Sequence, residues 1–337
     1  MKLFIYEHIT SGALIDEPLP TSLAREGDDM LTAIVQDLSQ LSNIELIILR
    51  DTRLKPLLNI PNSIISTIEN SISFKRTYLD AINNADLVLP IAPETDGVLS
   101  QILQEISNSN TPLLASQVSA TQVCSDKYLC HQKLTKNDLN SPITIKASDW
   151  SLKPFTSSAG YIVKPRDGAG CMNTYFIADS SSLNSWLESH SDDIENMVIQ
   201  PYIEGLAISL SVLSDHSDSR VLAINTQYIH HDNDKLFFLG STVNGVNESD
   251  FSLSQASIIA TKIQQAIPGL WGFIGIDLII HHNALFVIDI NPRLTTSYIG
   301  LKQSLDANPA QLLFTMMEQG LSALPAQLQR YPVEVNA

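Results

Sequence analysis

An apolar hairpin pattern with acids on one face constrains the possible folds of this chain more than any other feature. Apolar residues 278–280 and 285–288 flank a polar turn at 281–283 and are typical of two paired strands. Asp277 precedes the first segment, Asp289 follows the second, and Asn291 stands two residues further on. Because side chains alternate along a strand, the hairpin sets Asp277 beside Asp289 and keeps Asn291 on the same face. Three oxygen-bearing side chains are therefore predicted to converge on one point.

This face is suited to a metal ion and a phosphate. Carboxylate and amide oxygens are ligands that Mg²⁺ prefers, and Mg²⁺ usually also takes phosphate oxygens from a substrate. Mn²⁺ accepts similar oxygen ligands. Arg293 lies on the same face and could hold a phosphate with its guanidinium fork. The alternative is a surface hairpin with scattered acids, which is disfavoured because unpaired acids in so apolar a run are costly.

A glycine-rich turn upstream indicates a second half of the same site. Residues 161–165 predict a short apolar strand that carries Lys164, and residues 174–177 predict its partner. Gly168 and Gly170, between them, would let backbone N–H groups approach an anion closely. The segment lacks the Gly-Lys-Ser/Thr ending of a Walker A loop. Alone it would fit an ordinary turn, but with the downstream acids it indicates a phosphate-binding loop.

Two further segments belong to the pattern. Ser125 is a candidate N-cap for a helix over residues 125–135, which puts Lys127 in the first turn. Because the helix dipole disfavours a cation there, Lys127 is expected to meet an anion. Residues 198–205 predict a strand end in which a proline removes a backbone donor, and a strand over residues 208–213 follows.

The composition excludes several classes of protein. The chain has 337 residues, with 20 Lys and Arg against 36 Asp and Glu, for a net charge of −16. So acidic a chain binds nucleic acids and anionic membranes poorly. No hydrophobic run reaches membrane length, and the first residues are typical of a strand rather than a signal peptide. We therefore expect a cytoplasmic enzyme with small-molecule partners, and both a monomer and a homodimer are compatible with the sequence.

The cysteines agree with a reducing compartment. Cys124, Cys130 and Cys171 are too few and too irregularly spaced for a disulfide framework or a zinc site. Cys171 lies in the glycine-rich turn, where we interpret it as a small filler rather than a nucleophile.

The first third of the chain alternates between strand and helix patterns. Strands of a parallel sheet are predicted at residues 3–6, 46–49, 63–66, 87–91 and 112–115, and helices at 21–41, 69–83 and 96–107. This pattern predicts a Rossmann-like domain of the α/β class. The predicted domains are residues 1–119, a small domain over 120–199, a large domain over 200–324, and an extended or frayed tail over 325–337.

Several polar residues are candidates for substrate binding. Glu7 and Ser11 follow the first predicted strand and Glu94 follows the fourth, at the sheet edge where ligands of α/β domains bind. Asn225 and Gln227 alternate onto one face of a later strand. Solvated loop residues in the first case, and a solvent-facing strand in the second, are equally simple explanations.

The order of these motifs resembles the ATP-grasp superfamily of ATP-dependent carboxylate–amine ligases, over nearly the whole chain. The resemblance implies an ATP-grasp fold in which ATP lies between two α+β subdomains, preceded by an N-terminal Rossmann-like (pre-ATP-grasp) domain. The phosphate-binding residues that it implies are Lys127, Lys164, Gly168, Gly170 and Cys171. The adenine-binding residues, acting through backbone groups, are Gln200, Tyr202 and Ile203. The implied ligands of Mg²⁺ are Asp277, Asp289 and Asn291, and the implied catalytic residues at the transferred phosphate are Arg293 and Lys164.

One position departs from the superfamily pattern. Many members have a ribose-binding glutamate seven residues after the start of the adenine-binding segment, and here that residue is Ala207. Either Glu204 replaces it or the ribose is held less tightly.

Three stretches resemble a narrower family. Residues 22–31, 91–95 and 291–301 look like the tyramine–glutamate ligase family of methanofuran biosynthesis. Members join the side-chain carboxylate of glutamate to an aryl-ethyl amine. The resemblance implies an ADP-forming reaction in which a carboxylate takes the γ-phosphate of ATP and an amine then displaces phosphate. The sequence leaves open a ligase of another amino-acid, peptide or purine pathway, and an ATP-binding module without ligase activity.

Overall fold

The N-terminal part of the chain is a parallel sheet with helices between its strands. The structure, a computed structural model, describes residues 1–57, 59–168, 170–282 and 284–336. The first elements are β1 (Lys2–Glu7), α1 (Thr21–Leu38), β2 (Glu45–Asp51), β3 (Ser63–Ile68), α2 (Ser71–Asn84), β4 (Leu87–Ile91) and α3 (Val98–Asn108). The strand order is β3-β2-β1-β4, and all neighbours run parallel. This is the predicted Rossmann-like arrangement.

The apolar strands account for this sheet. Every residue of β1 after Lys2 is buried, as expected for a central strand that helices cover on both faces. Helix α1 presents one buried stripe to the core and ends at Leu38, three residues earlier than predicted. Four of the five predicted strands are present. The prediction of a strand over residues 112–115 is wrong, because Leu113 makes only an isolated bridge to Val88.

A small α+β region follows. Its elements are α4 (Val118–Ser125), α5 (Lys127–Thr135), β5 (Ile145–Lys146), β6 (Tyr161–Pro165), β7 (Tyr175–Ile177), α6 (Ser180–Ser189) and β8 (Met197–Pro201). The prediction that Ser125 caps a helix is wrong, because Ser125 ends α4. The cap of α5 is Asp126, whose carboxylate accepts hydrogen bonds from the N–H groups of Tyr128 and Leu129. Lys127 is consequently the first residue of α5.

The last part of the chain is dominated by long antiparallel strands. Its elements are β9 (Leu206–Ser214), β10 (Ser219–Asp232), β11 (Lys235–Val243), α7 (Leu253–Ala266), β12 (Gly272–His281), β13 (Ala284–Asn291), α8 (Tyr298–Leu305), α9 (Pro309–Gln319) and β14 (Val333–Asn336). The antiparallel strands of both regions join in one sheet of order β13-β12-β9-β10-β11-β7-β6-β8-β5, with β14 beside β11. The sheet therefore runs continuously from the large region into the small one.

The turn between β12 and β13 and the C-terminal tail can both be compared with the sequence predictions. The polar turn predicted at 281–283 lies between β12 and β13, and its last residue, Asn283, lies outside the described residues. The tail is not frayed at residues 333–336, because β14 pairs with β11 and Val335 enters the core at 8 % exposure. Among the described helices, we find none with the length and apolar character that crossing a membrane requires.

The first domain is fixed to the last helices. One hydrophobic cluster joins Leu31 of α1 to Leu301 of α8 and Leu313 of α9. Asp37, near the end of α1, accepts a hydrogen bond from the Tyr298 hydroxyl at 2.9 Å. Helix α1 is thus held against the large region by both apolar and polar contacts.

Candidate active site

The acids predicted from the hairpin do face each other. In the register of β12 and β13, Asp277 pairs with Asp289, and Gly275 pairs with Asn291. From Asp277–Asp289 toward the turn, the following pair is Leu278 with Val287. Strand β13 therefore carries one extra residue immediately before Asp289. Such a bulge bends a strand and re-aims its side chains, which is common beside functional sites.

Asp277 is held by amide groups. Its carboxylate accepts hydrogen bonds from Gln227 Nε2 at 2.9 Å and from Asn291 Nδ2 at 3.2 Å. Burial, followed by the nearby Asp289 charge, raises the pKa of Asp277 to about 6. A bound cation would offset the repulsion between the two acids, so this pair is suited to a positive charge.

Lys127 links the acids to the glycine-rich turn. Its Nζ lies 3.1 Å from Asp289 Oδ2 and donates a hydrogen bond to the Gly168 carbonyl at 2.5 Å. Burial lowers the pKa of Lys127, but the Asp289 carboxylate outweighs burial and leaves this pKa above its usual value. Lys127 is therefore a buried, charged group between the acids and the turn, as its position at the start of α5 had indicated.

Lys164 lies on the inner face of the small region, opposite Asp277 and Asp289. Along β6, Tyr161 and Val163 enter the hydrophobic core, while Ile162 and Lys164 line a cavity. Burial, reinforced by the Lys127 charge, lowers the pKa of Lys164 to about 8. Among the described residues, no hydrogen bond or ion pair satisfies its Nζ, so this ammonium is available to a ligand.

A prediction for ATP binding follows from this pKa. Phosphate oxygens would raise the pKa of Lys164, so binding takes up a proton above about pH 8 and ATP affinity falls as the pH rises past that value. Lys164→Met should weaken ATP binding by about 1.5–3 kcal/mol and should abolish this fall. Calorimetric titrations below and above this pKa test both effects, with Lys133→Met, an exposed lysine of α5, as the control. An unchanged affinity would count against a phosphate contact from Lys164.

These groups surround a single cavity of about 460 Å³. Its wall combines the inner faces of the small and large regions with the glycine-rich turn. Predicted site residues on this wall are Lys127, Lys164, Gly168, Gly170, Cys171, Gln200, Tyr202, Ile203, Gln227, Asp277, Asp289, Asn291 and Arg293. The structure thus brings together residues that lie up to 166 positions apart, from Lys127 to Arg293.

The segment after β8 offers a backbone donor at Ile203. The Tyr202 N–H already donates to the Gly160 carbonyl at 2.9 Å. Among the described residues, the Ile203 N–H makes no hydrogen bond, so it is free to donate one to a ligand. Gln200 faces the cavity, but its amide donates to Thr144 Oγ1 at 2.8 Å.

Glu204 does not reach the cavity. It is exposed, and its carbonyl accepts a hydrogen bond from His281 Nδ1. Ala207, at the position where a ribose-binding glutamate was missing, does line the cavity. Of the two explanations for the missing glutamate, the geometry favours a less tightly held ribose over replacement by Glu204.

The glycine-rich turn contains an uncharged cysteine. Gly170 and Cys171 both have positive φ, 63° and 60°, so the backbone of the turn is in the left-handed region at two consecutive residues. Burial raises the pKa of the Cys171 thiol to about 11, which keeps it protonated and agrees with a filler rather than a nucleophile. Ala169, between the two glycines, lies outside the described residues.

Arg293 is paired with a residue of the first domain. Its Nε and Nη2 donate to the two carboxylate oxygens of Glu94, both at 2.8 Å, and Nη1 donates to the Leu294 carbonyl. Burial lowers the pKa of Arg293, but Glu94, Glu26 and Asp289 together raise it above its usual value. The guanidinium group that was expected to hold phosphate is thus paired with Glu94. A phosphate contact would use the remaining N–H groups on the Nη atoms.

Several candidate substrate residues are not on the cavity wall. Glu7 is buried within its own loop, where it accepts hydrogen bonds from the N–H and hydroxyl of Thr10. Ser11 is also buried and donates to the His8 carbonyl. Asn225 is fully buried between β9 and β11 and bonds to serines of β9. Side chains whose hydrogen bonds are already satisfied in this way are not free to bind a substrate. Within the described residues, Gln227 is the one of the five candidates that lines the cavity.

The structure adds wall residues that the sequence did not single out. Glu26 of α1 and residues 295–297 line the cavity near Arg293. Glu26 falls inside the stretch 22–31 that suggested a family resemblance, but nothing in the pattern of α1 separates it from Asp29, an exposed acid of the same helix.

The residues present fit a divalent cation with a polyphosphate. Two carboxylates and one amide converge from one side, and two buried ammonium groups face them from the other. Within the described ranges, no cluster of three or more His, Cys, Asp or Glu side chains is arranged to hold a metal ion by itself. A cation here would thus need further oxygens from a ligand, as Mg²⁺ with phosphate does.

Comparison with known proteins defines the class of this chain. Residues 124–297 match the ATP-grasp domain, and residues 44–121 match the pre ATP-grasp 3 domain. The chain belongs to the ATP-grasp family.

Individual relatives narrow the comparison. The chain is 26 % identical over 302 residues to a tyramine–L-glutamate ligase of Methanocaldococcus fervens, a match that covers 89 % of each chain. It is 28 % identical over 234 residues to the enzyme of the same name from Methanocaldococcus jannaschii, covering 69 % of this chain and 64 % of the relative. Among solved structures, an ATP-grasp superfamily protein of Archaeoglobus fulgidus superposes with a TM-score of 0.70 at 22 % identity, covering 93 % of this chain and 88 % of the other.

These comparisons confirm the predicted ATP-grasp fold with its pre-ATP-grasp domain and the predicted class of ligase that forms carbon–nitrogen bonds. The family uses ATP and divalent metal ions. The choice of Mg²⁺, the domain boundaries and the roles of individual residues stay predictions.

Proposed function

We propose that this chain is an ADP-forming ligase that joins the side-chain carboxylate of glutamate to tyramine or a tyrosine-like amine. The observation that carries the ligase chemistry is the convergence of Asp277, Asp289 and Asn291 with Lys127 and Lys164 on one cavity. The choice of substrates is supported by the two tyramine–L-glutamate ligases among its relatives. Methanofuran biosynthesis, as the pathway, stays a prediction.

The nucleotide is placed by the wall residues. Asp277, Asp289 and Asn291 would hold Mg²⁺, or Mn²⁺ with the same oxygens, and the ion when bound would neutralise charge on the phosphates. The two buried lysines contact the phosphates, and the free Ile203 N–H bonds to the adenine edge. The protein thus supplies position and charge, which is most of what phosphoryl transfer requires.

The reaction has two steps. The glutamate carboxylate attacks the γ-phosphate of ATP, which gives an acyl phosphate and ADP. The amine nitrogen then attacks the acyl carbon, the bond from that carbon to the phosphate oxygen breaks, and phosphate leaves as the amide forms. Because water would hydrolyse the acyl phosphate, the glycine-rich turn over the cavity has to exclude it during the reaction.

Product analysis tests this proposal. The chain with ATP, Mg²⁺, glutamate and tyramine or tyrosine should give ADP and a product of the condensed mass, and omission of any one component should abolish the condensed product. Replacement of glutamate by aspartate is the matched control, because it moves the carboxylate by one methylene group. Formation of an amide from another acid and amine only would overturn the substrates and keep the ligase, while tight ATP binding without any product would favour a binding module.

A further inference from the structure

The first domain contributes one described side chain to the cavity wall. Of residues 1–57 and 59–119, Glu26 alone lines the cavity. The two acids of this domain that were candidates for substrate binding are engaged elsewhere, since Glu7 is satisfied by Thr10 and Glu94 pairs with Arg293. On the side of the first domain, a ligand in the cavity therefore meets the carboxylate of Glu26.

Glu26 is held in place but is not neutralised by a direct partner. Helix α1 is fixed to the large region through its apolar stripe and through Asp37, which accepts from Tyr298 and pairs with Lys302 at 2.9 Å. Among the described residues, no hydrogen bond or ion pair reaches the Glu26 carboxylate. Burial raises the pKa of Glu26, although the Arg293 charge opposes this effect.

The surroundings of Glu26 call for a cation. Arg293, the positive group whose charge acts on Glu26, donates both of its parallel N–H hydrogen bonds to Glu94 at 2.8 Å. A half-buried carboxylate without a direct partner is costly unless a ligand supplies one. An ammonium group is the complementary charge, and of the two substrates the amine is the one that must come within bonding distance of the activated acid.

We propose that Glu26 binds the ammonium group of the incoming amine and accepts the proton that makes its nitrogen a nucleophile. This inference rests on the proposed function. The ammonium gives one proton to the Glu26 carboxylate, and the freed lone pair forms the carbon–nitrogen bond. The carbon–oxygen bond to phosphate then breaks, and the departing phosphate takes the second proton as the amide forms. Glu26 would thus be a catalytic residue of amide formation and not of ATP cleavage.

Hydroxylamine separates these two half-reactions. It is largely uncharged near neutral pH, so it traps an acyl phosphate as a hydroxamate without an ammonium site or a base. We expect Glu26→Gln to form hydroxamate from ATP and glutamate as the unsubstituted chain does, while its kcat/KM for the amine falls by about a hundredfold or more. Glu26→Asp, which keeps the charge, should recover part of this loss. Asp29→Asn, an exposed acid of the same helix, is the matched control and should change neither reaction.

The outcomes are distinguishable. An unchanged kcat/KM for the amine in Glu26→Gln would overturn the role of Glu26. A parallel loss of hydroxamate formation, through a raised KM for glutamate, would also overturn it, because Glu26 would then bind the acid. Absence of hydroxamate from the unsubstituted chain with glutamate would overturn the proposed function and this inference with it. Retained hydroxamate formation in Glu26→Gln also shows that the variant is folded.

Discussion

Asp289→Asn is expected to lower kcat by at least about a hundredfold, or about 3 kcal/mol, while the protein stays folded. The substitution keeps the shape of the side chain but removes one of the two carboxylates that face each other across the β12–β13 hairpin. It also removes the partner of Lys127, which lies 3.1 Å from Asp289. The first change weakens the hold on a metal ion that neutralises phosphate charge, and the second removes the carboxylate that positions Lys127.

The experiment is a steady-state assay of ADP release at saturating Mg²⁺, together with a thermal melt. Asp306→Asn is a matched control, because Asp306 is exposed and its positive φ of 48° is one that asparagine also tolerates. Turnover close to that of the unsubstituted chain would contradict the assignment of Asp289 as a metal ligand.

Glu94→Ala is expected to lower the free energy of unfolding by about 3–5 kcal/mol, because it leaves the buried Arg293 charge without its partner. The side chains of Arg293 and Glu94 are only 13 % and 5 % exposed, and two hydrogen bonds of 2.8 Å join them. The pair connects the first domain to the end of the β12–β13 hairpin, so activity should fall as well.

Denaturant unfolding measures this loss. Glu69→Ala, at an exposed glutamate of the same domain, should change the free energy of unfolding by about 0.5 kcal/mol or less. Adding Arg293→Met to Glu94→Ala should recover part of the stability, because an uncharged side chain then replaces the unpaired charge. A loss of less than about 1 kcal/mol in the single variant would show that solvent or Glu26 neutralises Arg293.

Local patterns predicted the hairpin and the strands on either side of the glycine-rich turn well. The alternation of β12 and β13 was enough to set Asp277 beside Asp289, because a strand has a fixed period and the hairpin is short. Lys127 was recognised from its unfavourable place at a helix start, and the structure shows an acid next to it. In both cases neighbouring residues determine the geometry.

Distant contacts could not be predicted in the same way. The Glu94–Arg293 pair spans 199 positions, and nothing in the local sequence of Glu94 distinguishes a buried ion pair from a solvated loop acid. Glu26 reaches the cavity because α1 docks on α8, which depends on packing between domains. Glu7 and Asn225 were expected near the substrate, but bonds to their own neighbours occupy them.

Two further features could not be predicted for the same reason. Residues 333–336 carry too short a pattern to predict a strand, and β14 forms because the edge of β11 is available to it. Ser125 and Asp126 are both good N-cap residues, and the sequence alone could not show that Ser125 completes the preceding helix.

Oxygen transfer from the acid to phosphate tests the central claim most directly, that this ATP-grasp chain activates glutamate as an acyl phosphate. With glutamate whose side-chain carboxylate carries ¹⁸O, ATP, Mg²⁺ and tyramine, the account predicts that each amide formed releases a phosphate carrying one ¹⁸O atom. Mass spectrometry of the phosphate gives the answer. Amide formation with unlabelled phosphate would contradict the account, because the carboxylate oxygen would then never have been bonded to phosphorus.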